Sequence, residues 1–216
     1  MKSVLILFII ALNYQLCFAS QEQRQISLKV FENLKFDKPE FKELTENYVV
    51  KNFIQNILQS YENVVKLTVS EETKALEAIK ATTKQGQTDT TCTNYLKKLI
   101  DNSVSLSGFA YRNCLSDAYE SAQGEVRKVQ GTDVDLRVLR AFRSHNIFDR
   151  PAEIMIELGI INLPSFPIIN NPENDFVLFE KTITGVTEEY KKCNEHFSSF
   201  YTQQISLISS DMKQIC

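Results

Sequence analysis

The stretch CTNYLKKLIDNSVSLSGFAYRNC, from Cys92 to Cys114, decides the expected fold together with its counterpart CNEHFSSFYTQQISLISSDMKQIC, from Cys193 to Cys216. The cysteines are 22 positions apart in the first stretch and 23 in the second. On a helix, these separations place the two sulfurs about 33–35 Å apart, which no disulfide within that helix can close. Two such helices lying antiparallel bring Cys92 against Cys216 and Cys114 against Cys193. The spacing therefore predicts two disulfides between two helices.

Apolar and small residues recur in steps of three and four along both regions, which is a helical period. The first stripe consists of Cys92, Leu96, Leu99, Ser103, Leu106, Ala110, Cys114, Ala118 and Ala122. The second consists of Phe176, Phe179, Ile183, Val186, Tyr190, Cys193, Phe197 and Phe200, then of Tyr201, Ile205, Ile208, Met212 and Ile215. Short windows also suit a strand, but the sustained period favours helices. We expect a disulfide-linked antiparallel helix pair over 91–130 and 173–216.

Two helical patterns precede the cysteine pair. The first covers 41–67 and follows Asp37-Lys38-Pro39, where Asp can cap a helix and Pro is tolerated in the first turn. The second covers 71–85 and follows Ser70, a candidate helix cap with acidic residues after it. The sequence leaves open whether these segments form one helix or two.

The connection between the cysteine helices carries shorter patterns. Helices are expected over Asp133–Ser144 and Pro151–Leu158, and the proline-rich stretch 162–174 is typical of turns and extended chain. Its apolar Phe166, Ile168 and Ile169 suggest a loop tucked against the helices. The predicted fold is all-α: an elongated antiparallel helical bundle stapled by two disulfides.

The first nineteen residues, MKSVLILFIIALNYQLCFA, have the layout of a secretory signal, with a basic start, an apolar run and a small-residue end. The apolar run is shorter than the roughly 20 residues that a membrane span requires. We therefore expect a signal peptide over 1–19 and a single helical domain over 20–216. Removal of Cys17 leaves four cysteines, and an even count in an exported chain favours disulfides. The predicted location is extracellular.

The charge pattern excludes several partner classes. The full chain has 24 basic and 27 acidic residues, a net charge of −3, and the leader removes only Lys2. Lysines and glutamates are interspersed, so they indicate solvated helix faces rather than a basic stripe for nucleic acid or an anionic membrane. The domain after the leader contains no Asn-x-Ser/Thr acceptor and no membrane-spanning segment.

The two histidines, His145 and His196, are weak catalytic candidates, because a catalytic histidine needs a nucleophile or an orienting carboxylate beside it. His145 lies in the helix-end sequence Arg143-Ser144-His145-Asn146, which favours capping. The spacing Cys193-x-x-His196 resembles half of a zinc site, but zinc usually takes four ligands. With no second Cys/His cluster in the chain, the disulfide is favoured over a metal.

Paired carboxylates offer no better active site. Asp133 and Asp135, and likewise Glu188 and Glu189, do not face each other on a helix, so a solvated surface is the favoured interpretation. The chain has no nucleophile elbow, no phosphate-binding glycine loop and no His-Glu-x-x-His motif. We therefore expect a protein that is not an enzyme and needs no cofactor or metal.

The aromatic content suggests one more specific hypothesis, a cavity that binds an apolar ligand. Fourteen Phe and eight Tyr, with no Trp, follow the helical stripes. They either line a cavity for a small apolar ligand or fill the core of a bundle, and the second is favoured.

The signal peptide, the helical pattern and the cysteine layout together resemble a known family. Thr91-Cys92-Thr93-Asn94-Tyr95-Leu96 begins one long helix, Tyr111-Arg112-Asn113-Cys114 follows, and Cys193 and Cys216 lie on another. This arrangement, over roughly 41–216, resembles the insect secreted proteins with the TsetseEP-type domain, although the acidic Glu-Pro repeat tail of the founding member is missing. The resemblance implies an extracellular, non-enzymatic insect protein of the gut or body fluids, with immune or pathogen-interaction roles.

The expected function is accordingly binding. In the first hypothesis, an exposed helical face recognises another macromolecule, such as a microbial or gut-lining surface. In the alternative, the aromatic interior carries a small apolar ligand. The partner in either hypothesis is unknown from the sequence.

Overall fold

The computed structural model describes residues 22–32, 34, 46–84, 90–130, 136–160 and 173–215. Six helices make up most of this part of the chain, which contains no strand, so the predicted all-α class is confirmed. The helices are α1 over 22–32, α2 over Glu46–Lys84, α3 over Thr90–Gln130, α4 over Arg137–Ser144, α5 over Pro151–Ile160 and α6 over Glu173–Ile215.

Helix α2 answers the question that the sequence left open. It continues without interruption from Glu46 to Lys84, so the two predicted segments form one helix. The interpretation of Ser70 as a helix cap is wrong, because Ser70 lies in the middle of α2. Buried Thr68 and Val69 just before it keep the apolar stripe unbroken. Residues 41–45 and 85 lie outside the described residues.

The two cysteine helices agree closely with their predicted bounds. Helix α3 begins one residue earlier than expected and ends at Gln130, and α6 covers Glu173–Ile215. With 39, 41 and 43 residues, α2, α3 and α6 are each about 60 Å long. The two short helices are also present, and α1 is an element that the sequence patterns did not predict. Residues 161–172, with the apolar residues expected to tuck against the helices, lie outside the described residues.

A hydrogen-bonded group joins the three long helices at one level. The hydroxyls of Thr68 on α2 and Tyr111 on α3 are 3.0 Å apart. The Tyr201 hydroxyl of α6 donates to the Thr68 carbonyl at 3.2 Å. All three residues therefore lie at the same height in the core.

A second level gives the relative directions of the helices. Cys114 of α3 is bonded to Cys193 of α6. Cys114 comes after Tyr111 in α3, whereas Cys193 comes before Tyr201 in α6. Helices α3 and α6 are thus antiparallel. Asn194 of α6 donates to Ser60 of α2 at 3.4 Å. Both residues precede, on their own helices, the pair Tyr201 and Thr68 that forms the first level. Helices α2 and α6 therefore run in the same direction.

The buried surface of α3 extends further toward α2 than the predicted stripe does, and two predicted core residues are exposed. Leu106, which the predicted stripe placed in the core, is 64% exposed, and Phe200 of α6 is 54% exposed. The difference arises because α3 packs against α2 as well as α6, so its buried surface includes the side that faces α2. The buried apolar residues of α3 include four of the predicted stripe, Leu96, Cys114, Ala118 and Ala122, together with Ile100, Val104, Tyr111, Leu115 and Val126 on the side toward α2.

Gly108 of α3 allows the segment after α4 to approach closely. A Cβ atom at this position would overlap Asn146 Oδ1 and lie 2.8 Å from Asn146 Cγ and 2.9 Å from Phe148 Cδ2. Only glycine fits here without displacing these atoms. The close approach places Phe148 beside α1 and α3, next to the buried ion pair of Arg24 and Glu72.

Candidate functional site

The predicted pairing of Cys114 with Cys193 is present. Their Cα atoms are 5.9 Å apart, and Cys114 is buried while Cys193 is half-buried. Cys92 is also disulfide-bonded. Its predicted partner, Cys216, lies outside the described residues, so the Cys92–Cys216 pairing stays a prediction.

His145 lies at the helix end that the sequence indicated. It follows the last residue of α4, with extended backbone angles of φ −129° and ψ 148°. Its Nε2 atom is 2.7 Å from a carboxylate oxygen of Glu157 on α5. His145 therefore links α4 to α5 through its side chain, in addition to ending α4.

His196 lies on the exposed side of α6, with its ring centroid 5.3 Å from that of Phe197. Because the Cys193 sulfur is bonded to Cys114, it is not a thiolate ligand for zinc. No group of three or more potential metal ligands occurs among the residues that the structure describes. No contact in this part of the structure brings His196 to His145.

The carboxylate pairs behave as surface groups where the structure describes them. Glu188 and Glu189 are both exposed, and Glu188 forms an ion pair with Lys191 at 2.9 Å. Asp133 and Asp135 lie outside the described residues.

Aromatic side chains pack against one another between the helices. The ring of Phe31 is 5.3 Å from Phe142, in a stacked arrangement, and 5.9 Å from Tyr61, edge to face. Tyr61 in turn meets Phe142 at 5.6 Å and Tyr111 at 6.4 Å, both edge to face. These separations are those of rings in direct contact, so this group fills the core rather than surrounding a cavity.

Arg24 of α1 forms the centre of a buried ionic cluster that sequence patterns missed. Its Nε atom lies 3.2 Å from Glu72 of α2, and its Nη2 atom lies 2.7 Å from Asp101 of α3. Its Nη1 atom donates to the Phe148 carbonyl at 2.6 Å, and the guanidinium is 5.5 Å from the Phe148 ring centroid. Arg24 therefore joins α1, α2, α3 and the segment after α4 through a single side chain.

Polar contacts around the cluster fix that segment further. The buried Ser27 hydroxyl of α1 is 2.6 Å from the Ile147 carbonyl, and Gln23 donates to the Asp149 carbonyl at 3.2 Å. Asn146 Nδ2 donates to the Ser105 carbonyl of α3 at 2.9 Å. Arg24 and Glu72 are thus buried and paired with each other, whereas the Asp101 side chain is 49% exposed and joins the cluster from the protein surface.

The environment of Glu72 shifts its proton affinity. Burial raises the pKa of its carboxyl above the ordinary value of 4.5, the neighbouring Arg24 charge and hydrogen bond oppose this, and Asp101 adds to it. Burial dominates because desolvation penalises the charged carboxylate. The net direction is upward, so Glu72 holds its proton more tightly than an exposed glutamate does.

Four buried tyrosines lie in the same interior. Burial raises the pKa of Tyr111 to about 12, and it raises the pKa values of Tyr61, Tyr190 and Tyr201 as well. Tyr111 and Tyr201 are hydrogen-bonded to Thr68. Within the described part of the chain, the Tyr61 hydroxyl has no hydrogen-bond partner, whereas a hydrogen bond with Asn194 opposes the rise in the pKa of Tyr190. None of the four offers an ionised phenolate for chemistry near neutral pH.

An apolar surface borders the seam between α3 and α6, and we name it the α3–α6 face. Its exposed members are Leu106 of α3 at 64%, and Phe200 and Leu207 of α6 at 54% and 60%. Half-buried Leu99 and Ala110 lie on the same side of α3. Phe200 and Leu207 follow Cys193 at seven-residue intervals, so they lie along the edge of α6 that meets α3.

No helix among the described residues combines the length and apolar character needed to cross a membrane. Comparisons with protein-family models, with curated proteins and with solved structures found no match.

Proposed function

We propose that this chain is a secreted, non-enzymatic interaction protein of an insect gut lumen or body fluid. The signal-like leader over 1–19 and the Cys114–Cys193 disulfide support export, because disulfides persist in oxidising compartments. The resemblance of its cysteine layout to secreted TsetseEP-domain proteins supports the setting.

The proposed architecture is an elongated antiparallel bundle in which two disulfides join α3 to α6, with Cys114–Cys193 near the middle of both helices. The second bond joins Cys92 to Cys216. The matched separations of 22 and 23 residues support this pairing, because α3 and α6 run antiparallel away from Cys114 and Cys193. Cys92 is itself disulfide-bonded.

The packing of the aromatic interior is the observation that carries the binding proposal. Rings of α1, α2, α3 and α4 contact one another at 5.3–6.4 Å, and the buried charges satisfy one another. Recognition therefore falls to the outer helical surfaces. These surfaces carry closely spaced opposite charges, such as Lys66 with Glu62 and Lys74 with Glu71 on α2. A microbial or gut-lining surface is the proposed partner.

Cosedimentation of the oxidised protein with intact bacterial cells, fungal cells and chitin particles tests the proposal. We expect retention that weakens with salt and falls several-fold in the Lys66→Glu and Lys74→Glu variants, because exposed charges set this type of association. Ile156→Ser, on α5, is the matched surface control. Retention by none of the three surfaces contradicts the proposal. An apolar molecule copurifying in native mass spectrometry would favour the carrier alternative instead.

A further inference from the structure

Helix α1 is attached to the rest of the fold largely through polar side chains. Side chains of α1 lie within hydrogen-bonding distance of three consecutive carbonyls after α4. The pairs are Gln23 with Asp149 at 3.2 Å, Arg24 with Phe148 at 2.6 Å and Ser27 with Ile147 at 2.6 Å. The fully buried apolar residues in the described part of α1 are Val30 and Phe31. The attachment of α1 therefore depends on a few polar groups and two apolar side chains.

The three long helices are joined to one another without α1. The Cys114–Cys193 disulfide links α3 to α6, and Thr68 of α2 meets hydroxyls of both partner helices. Helix α1 has only eleven residues, and isolated helices of this length are marginal in water. Its helical form therefore depends on docking. A local opening that releases α1 leaves the joined long helices folded.

Glu72 is a poorly compensated anion while α1 is docked. Both of its carboxylate oxygens face the same donor, Arg24 Nε, at 3.2 and 3.4 Å. The other guanidinium nitrogens bond elsewhere, Nη1 to the Phe148 carbonyl and Nη2 to Asp101. An ionised carboxylate has about four lone-pair sites, and no other donor reaches Glu72 among the described residues. Most of its capacity as a buried hydrogen-bond acceptor is therefore unused.

The neighbouring titratable groups do not supply the missing positive charge. Asp101 of α3 shares the same cation, so one guanidinium faces two carboxylates. Burial raises the pKa values of Tyr111 of α3 and Tyr201 of α6, so both phenols are neutral. The remaining two acids have other partners: Glu71 of α2 pairs with Lys74, and Asp149 accepts from Ser105 and Asn146. A proton on Glu72 would make the cluster of Arg24, Glu72 and Asp101 neutral.

We propose that the docking of α1 is controlled by a proton at Glu72, whose loss favours release of α1 from the long helices. The inference goes beyond the proposed function, since it concerns a conformational change within the chain. On release, Glu72 becomes accessible to water, gives its proton to the solvent and is hydrated as a carboxylate. Release from the protonated state therefore liberates one proton and becomes more frequent as pH rises.

The direction of the Glu72 pKa agrees with this sign. Burial raises the pKa of the docked carboxyl above 4.5, whereas the released carboxyl has its ordinary value. The contribution of Glu72 to docking is therefore full below 4.5 and is lost as pH rises through the docked-state pKa.

Release of α1 uncovers part of the aromatic interior. The Phe31 ring is stacked on Phe142 at 5.3 Å and lies edge to face with Tyr61 at 5.9 Å. Phe142 and Tyr61 are both 0% exposed while α1 is docked. When Phe31 leaves with α1, these two rings become accessible from the side that α1 covers. Acidic conditions therefore keep the aromatic group covered, and a rise in pH exposes it more often.

Native-state hydrogen exchange of the oxidised protein, followed by mass spectrometry from about pH 5 to pH 8, tests the inference. Protection factors, which correct for the pH dependence of amide exchange itself, are compared between residues 22–32 of α1 and residues 190–201 of α6. We expect α1 to be protected about tenfold less than α6 or lower still, because a local opening exposes it. Its protection should fall as pH rises, by at most about tenfold per pH unit, since one proton is released.

Variants of the acids on α2 and α3 identify the group that titrates. Glu72→Gln resembles the protonated side chain and should make the protection of α1 independent of pH. Glu71→Gln removes the acid next to it on α2 and is the matched control, which should retain the wild-type pH dependence. Asp101→Asn removes the negative charge that raises the pKa of Glu72, so the fall in protection should move to lower pH. The Asp101 side chain is 49% exposed, so this variant decides the matter if Glu72→Gln does not fold.

Several results would overturn the inference. Equal protection of α1 and α6 at every pH would mean that α1 leaves only when the whole fold opens. Protection of α1 that is constant or rises with pH would exclude the release of a proton. A pH dependence that persists in Glu72→Gln, or does not move in Asp101→Asn, would assign the titration to another group. Retention on cells is a separate measurement, so failure of either proposal leaves the other standing.

Discussion

The Arg24 guanidinium and the Glu72 carboxylate form an ion pair of 3.2 Å in which both side chains are only 5% exposed. The two residues are 48 positions apart, on α1 and α2. Asp101 of α3 completes the cluster at 2.7 Å from Arg24, so three helices meet at one cation. Buried charges of this kind are costly unless each has its partner, which makes this fastening sensitive to single substitutions.

Removal of the cation alone should destabilise the fold strongly. Arg24→Met leaves the Glu72 carboxylate buried without its counter-ion, and we expect a loss of about 3–5 kcal/mol in the free energy of unfolding. The double variant Arg24→Met/Glu72→Met should recover most of this loss, because an apolar pair needs no desolvation of charge. Urea denaturation at pH 7 measures both. A single variant within about 1 kcal/mol of the wild type would contradict the structural role of Arg24.

The raised pKa of Glu72 predicts a pH dependence with a definite sign. Above the ordinary value of 4.5, the folded state holds a proton at Glu72 that the unfolded chain has released. The contribution of Glu72 to stability is therefore full below this value and falls as pH rises through the folded-state pKa. Relative to Glu72→Gln, the wild type should lose stability on going from pH 4 toward pH 7. A difference that is constant with pH, or grows in favour of the wild type, would contradict the assignment.

Gly108 and two other helical glycines should respond oppositely to alanine. Gly108→Ala forces a methyl group into Asn146 and Phe148, and overpacking of this kind typically costs about 1–3 kcal/mol. At Gly124 and Gly185, an added Cβ meets nothing within 4 Å, so alanine should stabilise each helix by about 0.5–1 kcal/mol. Thermal melting of the three variants measures the contrast. If Gly108→Ala stabilised the protein instead, the segment containing Asn146 and Phe148 would have to shift at little energetic cost to accommodate the methyl group.

Replacing a buried tyrosine by phenylalanine should change the stability of the protein by an amount that depends on whether the hydroxyl is hydrogen-bonded. Tyr201→Phe removes the bond to the Thr68 carbonyl, and we expect a loss of about 0.5–1.5 kcal/mol. Tyr61→Phe removes a buried hydroxyl that has no partner in the described structure, so stability should be unchanged or rise by about 1 kcal/mol. Chemical denaturation compares the two. Equal losses in both variants would indicate that the Tyr61 hydroxyl is satisfied.

The disulfide should control resistance to proteases. Cys114 and Cys193 are 79 positions apart, for which the chain-entropy model gives a stabilisation of about 4–5 kcal/mol. The variant Cys114→Ala/Cys193→Ala should therefore open more often and be digested faster by trypsin, since cleavage follows the population of the open state. Gel analysis of digestion time courses provides the measurement. Equal digestion rates of the wild type and the variant would show that the disulfide does not protect the protein from proteases.

The period of the sequence was enough to predict the long helices. Steps of three and four persist over dozens of residues in α3 and α6, and this repetition outweighs local ambiguities such as a strand-like window at 176–179. The same period placed Leu106 wrongly in the core, while Leu96, Cys114, Ala118 and Ala122 are buried as predicted. Leu99 and Leu106 are as apolar as Ile100 and Val104, so the pattern alone could not decide which line faces the core.

The sequence contains one indication of the ionic cluster, which is a charged residue at a position where the helical period predicts burial. Arg24, Ser27 and Phe31 follow one another at helical spacing in α1, so a charged residue occupies the buried stripe. Glu72 likewise follows Thr68 on the buried side of α2. Each charge suggests an exposed position by itself, and only their meeting in space makes burial favourable.

The sequence by itself determined the all-α class, the approximate bounds of α3 and α6, and the pairing of Cys114 with Cys193, because these depend on periodicity and on cysteine spacing along single helices. Only the tertiary structure decided that α2 is one helix, that Arg24 is buried, and that Leu106 and Phe200 face solvent. These features depend on which sides of several helices meet, and that choice is made by packing among residues far apart in the chain.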